Sequence, residues 1–336
     1  MTMAVKPRVY VIGTGGTISR IGHGRTDYTN YNYKTGNYSI EDLLARIPEA
    51  KEIAEVRSEQ FANSSSSDLG PDQCLGLSRR INRIFEEDEA AAGVVLTHGT
   101  ATLEETSYFL NLTVRSHKPV AVTGAMRPPT AISADGDLNL LDAVRTAASP
   151  HARDKGVLVV MNNEINAARD VTKSDSHRVH TMQSRNLGIL GLADSDGEVV
   201  FYRQPTHAHT AKSEFDPAAI TSLPRVDIVP SYSGADGFVI DALVNAAVPG
   251  IIAAGLGSGS GPVPYMRALE RAVKQGVTVM VASQSGSGRI VQKRQFADCG
   301  ILAADNLGPK KARILLMLAL AHTKDASEIQ RMASTY

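Results

Sequence analysis

The sequence predicts an α/β protein in two parts, a larger N-terminal domain with a mostly parallel sheet and a smaller C-terminal α/β domain. Three observations carry this expectation. Short β-branched runs alternate with helical patterns through roughly the first 160 residues. The alternation fails between residues 201 and 224 and then resumes. A chain of 336 residues, 43% of them hydrophobic, is also long for one core and ample for two.

Residues 9–12 are the first expected strand, a β-branched and aromatic run that stops at glycines. Runs of the same kind recur at 93–96, 120–122 and 157–161, with helical patterns at 39–47, 71–85, 103–112 and 138–148. That alternation places helices on both faces of a parallel sheet. Gln204, Pro205, Thr206, His207 and the stretch through Ser213 read as a surface linker. Beyond it, strand patterns at 226–229, 251–254 and 277–281 alternate with helical ones at 240–247, 266–274 and 310–321. The expected boundaries are 1–202 for the first domain, 203–224 for the linker and 225–336 for the second domain.

Charge and composition narrow the function. Lysine plus arginine and aspartate plus glutamate number 35 each, which gives no bulk pull toward nucleic acid or acidic membranes. No segment reaches the roughly 18 apolar residues of a membrane helix. The apolar stretch before Gly13 is too short for a signal-peptide core, so a cytoplasmic protein is expected. Cys74 and Cys299 stand in no metal or disulfide spacing. His207 with His209, and His177 with His180, lie in polar stretches without carboxylate partners at ligand spacing, and solvated histidines are expected there.

In open parallel sheets, chemistry collects at the carboxyl ends of strands. The first strand runs into Gly13-Thr14-Gly15-Gly16-Thr17-Ile18-Ser19. A dinucleotide loop would need glycine at Ile18, so that motif fails. Two readings stay open. The glycines serve a tight turn, or Thr17 is a nucleophile with the Gly16 N–H helping to form an oxyanion hole. A threonine hydroxyl needs a base, and Tyr28, Tyr31, Tyr33 and Tyr38 follow closely. The second strand end reads Thr97-His98-Gly99-Thr100-Ala101-Thr102, where Thr100 or Thr102 is either a helix cap or a reactive hydroxyl. Lys173 sits in a polar stretch; it is either a solvated lysine or, if it reaches the site, a base for such a hydroxyl.

Across nearly its whole length the chain resembles the bacterial-type L-asparaginase/glutaminase family of amidohydrolases. The matching residues are Thr14-Gly15-Gly16-Thr17-Ile18-Ser19, Thr97-His98-Gly99-Thr100, Gly124-Ala125-Met126-Arg127-Pro128-Pro129 and Ser133-Ala134-Asp135-Gly136-Asp137-Leu138-Asn139-Leu140, with 156–162, 170–173 and 310–324 beyond them. The resemblance implies that Thr17 is the acyl-accepting nucleophile and Tyr33, heading a Tyr-x-x-Gly stretch, its activator, with Tyr31 the second choice. It implies that Thr100 and Lys173 are the second hydroxyl and its lysine. Ser66 matches a residue that holds the substrate's α-carboxylate, and Gly16, Ser67, Gly99, Ala101 and Gln295 are the further positions where the resemblance implies substrate binding. A small-molecule amide, by default L-asparagine, is the implied substrate. A homotetramer built from close dimers, with each site completed by a neighbouring subunit, is the implied assembly. No metal or organic cofactor is implied.

Three positions depart from the family pattern. Ala101 stands where the family has an aspartate that holds the substrate's α-ammonium, and losing one partner of such a buried pair costs roughly 2–5 kcal/mol. Ser67 replaces a longer amide side chain, and Gln295 falls near the position of a subunit-crossing glutamate. The departures admit an asparaginase altered at Ala101, a relative acting on an amide, imide or lactam without an α-ammonium, or a non-catalytic binding protein. Ser67 and Gln295 favour the second over the first, and retention of Thr17, Tyr33, Thr100 and Lys173 weighs against the third.

Overall fold

The computed structural model describes residues 6–31 and 36–336. The chain divides into two compact units, one through Ser213 and one from Glu214 to Tyr336. The expected linker is therefore shared between them. Thr210–Lys212 forms a short 3-10 turn of the first unit, where the Ser213 hydroxyl bonds the Leu112 carbonyl. Phe215, 2% exposed, packs on Tyr336 within the second unit.

The first unit holds strands β1 Arg8–Gly15, β2 Glu55–Ser64, β3 Ala91–Thr97, β4 Val120–Thr123, β5 Val157–Met161, β6 Glu164–Ala167, β7 Thr172–Lys173, β8 Met182–Gln183, β9 Gly191–Ala193 and β10 Val199–Phe201. Its helices are α1 Ile40–Ala45, α2 Ala50–Ile53, α3 Pro71–Glu87, α4 Leu103–Thr113 and α5 Gly136–Ala148. Eight strands form one sheet in the order β10-β9-β6-β5-β4-β3-β1-β2, while β7 and β8 make a separate ribbon. The pairings from β2 through β5 are parallel, and those among β5, β6, β9 and β10 are antiparallel.

Alternation along the central strands explains the layers. Val9, Val11, Val95, Ala121, Leu158 and Val160 enter one core with Leu140 and Val144 of α5. Ile12, Val94, Leu96, Val120, Val122, Val157 and Val159 enter the other with Leu77 and Ile81 of α3 and Leu103 and Leu110 of α4. Both faces are covered, so the strands read as continuous apolar runs. Ser39 caps α1 in a reciprocal box with Asp42, which fixes where the chain turns back after the first strand end.

In the second unit β11 Val226–Pro230, β12 Gly250–Gly255, β13 Thr278–Ser283 and β14 Leu302–Ala303 make a four-stranded parallel sheet in chain order. Its helices are α6 Phe238–Asn245, α7 Val263–Lys274, α8 Arg294–Asp298, α9 Pro309–His322 and α10 Ala326–Thr335. Ile240 of α6 and Ala268 and Leu269 of α7 pack on Val229, Ile251 and Val279. A Cβ on Gly250 would meet Leu320 and Leu316 of α9 at 2.9 and 3.2 Å, so α9 lies close against β12. No helix among the described residues is long and apolar enough to cross a membrane.

Candidate active site

The register of β1 builds the site. Gly13 pairs with Thr97 of β3, and Gly15 with Ser64 of β2. Three chain segments therefore leave the sheet side by side: 16–20, 65–68 and 98–102. Gly15 and Gly16 have φ of 99° and 89°, in the region that favours glycine. The tight turn expected here is real, and it also brings two backbones together. A Cβ on Gly16 would stand 2.3 Å from the Gly99 Cα, and one on Gly99 would stand 2.8 Å from the Ser66 Oγ. Close approach of the three segments thus requires both glycines.

Thr17 opens a short 3-10 turn and its Oγ1 lies 2.8 Å from the Tyr31 Oη. Tyr33, the first choice of activating tyrosine on sequence, lies outside the described residues. Thr14 donates to the Thr97 carbonyl at 2.7 Å, tying the first strand end to the second. The Gly16 N–H, expected as an oxyanion donor, instead donates to the Ser64 carbonyl at 3.0 Å. It continues the β1–β2 pairing and is spent there.

Neither threonine of the second strand end caps α4. Thr102 occupies the cap position without a capping hydrogen bond, and its hydroxyl donates to the Ser66 carbonyl at 2.8 Å. Thr100, buried, receives the Lys173 Nζ at 2.8 Å and lies 3.4 Å from the Met126 sulfur. Lys173 is therefore no freely solvated surface lysine. It sits on the β7–β8 ribbon, from which its side chain reaches the hydroxyl.

Thr17, Tyr31, Thr100 and Lys173 line one cleft of about 340 Å³, with Gly16, Ser66, Gly99 and Ala101. Ser67 stands outside that lining, exposed, with its Oγ 2.9 Å from that of Ser65. Gln295 lies exposed on α8 of the second unit. Arg20, Met126 and His177 also line the cleft, and sequence reasoning assigned none of them a role. Arg20 is one turn beyond Thr17, and Met126 lies in the quoted Gly124–Pro129 segment, so position in the motifs was the available signal. Asp135 accepts the N–H groups of Met126 and Arg127, both at 2.9 Å, and so holds the loop that carries Met126.

His98 is fully buried beneath the second strand end. Its Nδ1 lies 2.9 Å from the Gly99 carbonyl; a carbonyl only accepts, so the ring carries its proton on Nδ1. Burial pushes its pKa down to about 4, which leaves it neutral at physiological pH. His209, expected to be solvated, is instead buried beside the Thr210 hydroxyl at 2.9 Å. His177 is exposed at the cleft.

An α/β sheet with side-chain hydroxyl pairs gathered at two adjacent strand ends defines a class of site, and comparison with known proteins supplies the family. Residues 8–207 match the family model "Asparaginase, N-terminal" and residues 225–332 match "Glutaminase/Asparaginase C-terminal domain". The chain belongs to the asparaginase/glutaminase family of amidohydrolases. It is 41% identical over 330 residues to "L-asparaginase 2" of Bacillus subtilis (strain 168), covering 98% of this chain and 87% of the relative. It is 40% identical over 331 residues to "Glutaminase-asparaginase" of Pseudomonas fluorescens biotype A, with 98% and 90% covered. The crystal structure of a probable cytoplasmic L-asparaginase from Campylobacter jejuni superposes with a TM-score of 0.95 at 41% identity, covering 98% of this chain and all of the other.

Proposed function

We propose that this chain hydrolyses the side-chain amide of a small molecule through a covalent ester on Thr17, a reaction at a carbon–nitrogen bond other than a peptide bond in a linear amide. L-Asparagine is the reference substrate that the relatives' names supply, with L-aspartate and ammonia as products. The observation that carries the mechanism is the 2.8 Å contact between the Thr17 Oγ1 and the Tyr31 Oη. A hydroxyl is a weak nucleophile until a neighbour accepts its proton, and a contact of this length is within transfer reach.

In the first half-reaction the Thr17 oxygen bonds to the amide carbon while Tyr31 accepts the hydroxyl proton. The carbonyl oxygen gains charge, and with the Gly16 N–H committed to Ser64, the Thr17 and Thr100 N–H groups are the donors assigned to it. The carbon–nitrogen bond breaks, ammonia leaves with the returned proton, and an ester remains on Thr17. In the second half-reaction the Lys173–Thr100 pair orients water against that ester, the acid leaves, and Thr17 recovers its proton.

The assembly proposed with this reading is a homotetramer of close dimers, and the proposed location is the cytoplasm, in line with the probable cytoplasmic L-asparaginase from Campylobacter jejuni. Thr17→Ala tests the mechanism. It is expected to abolish ammonia release from every amide that the parent hydrolyses while the folded protein keeps its melting profile. Undiminished release would refute the assignment of the nucleophile.

A further inference from the structure

We propose that the preferred substrate is an ammonium-free monoamide of a short dicarboxylic acid, with a primary amide at one end, a carboxylate at the other and no amino group between. This rests on the amide-hydrolysis reading above and concerns what the same cleft selects. Among the described residues that line it, none is an aspartate or a glutamate. The sequence at 32–35, Asn-Tyr-Lys-Thr, supplies no acid either.

An amino-acid amide carries its ammonium into that cleft together with its carboxylate. Desolvating an ammonium is costly unless an anion meets it. Here the charged side chain of fixed sign is Arg20, whose guanidinium holds the Asn37 Oδ1 at 2.6 Å and repels a second cation. Lys173 offers no anion in either protonation state. Ala101 presents a methyl group, and Met126 adds a thioether.

Two acids on flanking loops, Asp27 and Asp175, are committed to their own turns. Asp27 accepts the N–H groups of Thr29 and Asn30 at 3.1 and 2.9 Å. Asp175 accepts those of His177 and Arg178 at 2.7 and 2.9 Å. Both stand outside the lining, although Thr29 and His177 belong to it. A carboxylate, by contrast, suits this cleft. Arg20 supplies positive charge, and Ser65 and Ser66 supply hydroxyl donors. Hydrogen in place of the ammonium leaves the remaining chain apolar beside Ala101 and Met126.

The chemistry balances as in the parent reaction. Thr17 takes the acyl group as the carbon–nitrogen bond breaks and ammonia leaves. Water then cleaves the ester, and a dicarboxylate departs.

The test compares kcat/KM for ammonia release from succinamate and glutaramate with that from L-asparagine and L-glutamine, their α-amino counterparts. The parent protein, Thr17→Ala and Ala101→Asp are assayed in parallel. The expected result is a preference of at least tenfold for the ammonium-free member of one pair, which Ala101→Asp shifts at least tenfold toward the amino acid. A smaller preference, or one for the amino acid, with release still dependent on Thr17, overturns the substrate class and leaves amide hydrolysis standing. Release from none of the four, or release that Thr17→Ala does not diminish, overturns the underlying reading and the inference with it.

Discussion

Lys173→Met isolates the second hydroxyl pair. The substitution keeps a long, unbranched side chain on the β7–β8 ribbon and removes the ammonium that donates to the Thr100 Oγ1 at 2.8 Å. A hydrogen bond involving a charged group contributes about 1.5–3 kcal/mol. If that energy is expressed in the transition state, kcat/KM falls by roughly 10- to 150-fold at about 1.36 kcal/mol per decade. Stability should move little, because the lysine is only half-buried and Thr100 keeps its neighbour Met126 at 3.4 Å. A change under about 1 kcal/mol is expected. Ammonia release, coupled to a spectrophotometric readout, gives kcat and KM, and a urea titration gives stability. The loss should appear in kcat, with KM nearly constant, because the pair is assigned to the step that follows binding. Turnover within twofold of the parent, with the fold intact, would refute that assignment.

Tyr31→Phe should lower kcat by about 10²–10⁴-fold, the usual worth of a positioned proton acceptor, with ammonia release as the assay. If Tyr31→Phe stays within tenfold of the parent and Tyr33→Phe does not, the activating role passes to Tyr33. Gly16→Ala should destabilise the first unit by about 3 kcal/mol, combining overpacking against the Gly99 Cα at 2.3 Å with strain at a φ of 89°. For a unit of that size the melting temperature should drop by roughly 6–12 °C, measured by circular dichroism. His98 gives a pH prediction. Its folded pKa, pushed down to about 4, lies below the unfolded value of about 6.5, so the native state binds fewer protons across that window. Its contribution therefore lowers stability as pH falls from about 6.5 to 4, by about 3 kcal/mol in total. Denaturant titrations across that range should show His98→Gln losing this slope; an unchanged slope contradicts the reading.

The sequence made some parts of the molecule legible for a physical reason. β1, β3, β4 and β5 are covered on both faces, so Val9–Ile12, Val94–Leu96, Val120–Val122 and Val157–Met161 stand out as apolar runs. β2 is the sheet's terminal strand and reads Glu-Val-Arg-Ser-Glu-Gln-Phe-Ala-Asn-Ser, with none of its residues fully buried, so no run marks it. That one omission had a chemical consequence. Without β2 there is no Ser64 carbonyl opposite Gly16, and the Gly16 N–H looks available for an oxyanion. The short antiparallel strands β6, β9 and β10 carry too few residues for a period to show.

At the site, Thr17, Thr100, Ser66 and Ala101 stand at or beside strand ends, where motif position directs attention, and they line one cleft. Spacing alone left Tyr31 and Tyr33 open, since loop geometry between strand and helix has no fixed period. Arg20 was overlooked because an arginine one turn beyond Thr17 looks like any surface cation in sequence; its burial at 4% exposure and its place in the cleft appear only in three dimensions. Lys173 shows the reverse. A lone lysine in a polar stretch carries no signal, and only the ribbon's placement delivers its ammonium to Thr100.

The central claim is the covalent ester on Thr17, and rapid acid quenching during turnover tests it most directly. Intact-mass analysis of the quenched protein, followed by peptide mapping, should find the substrate's acyl mass on the peptide containing Thr17 and on no other, and should find none in Thr17→Ala. An acyl group mapped elsewhere, or none under conditions where a slowed variant such as Lys173→Met accumulates product at a measurable rate, would contradict the account.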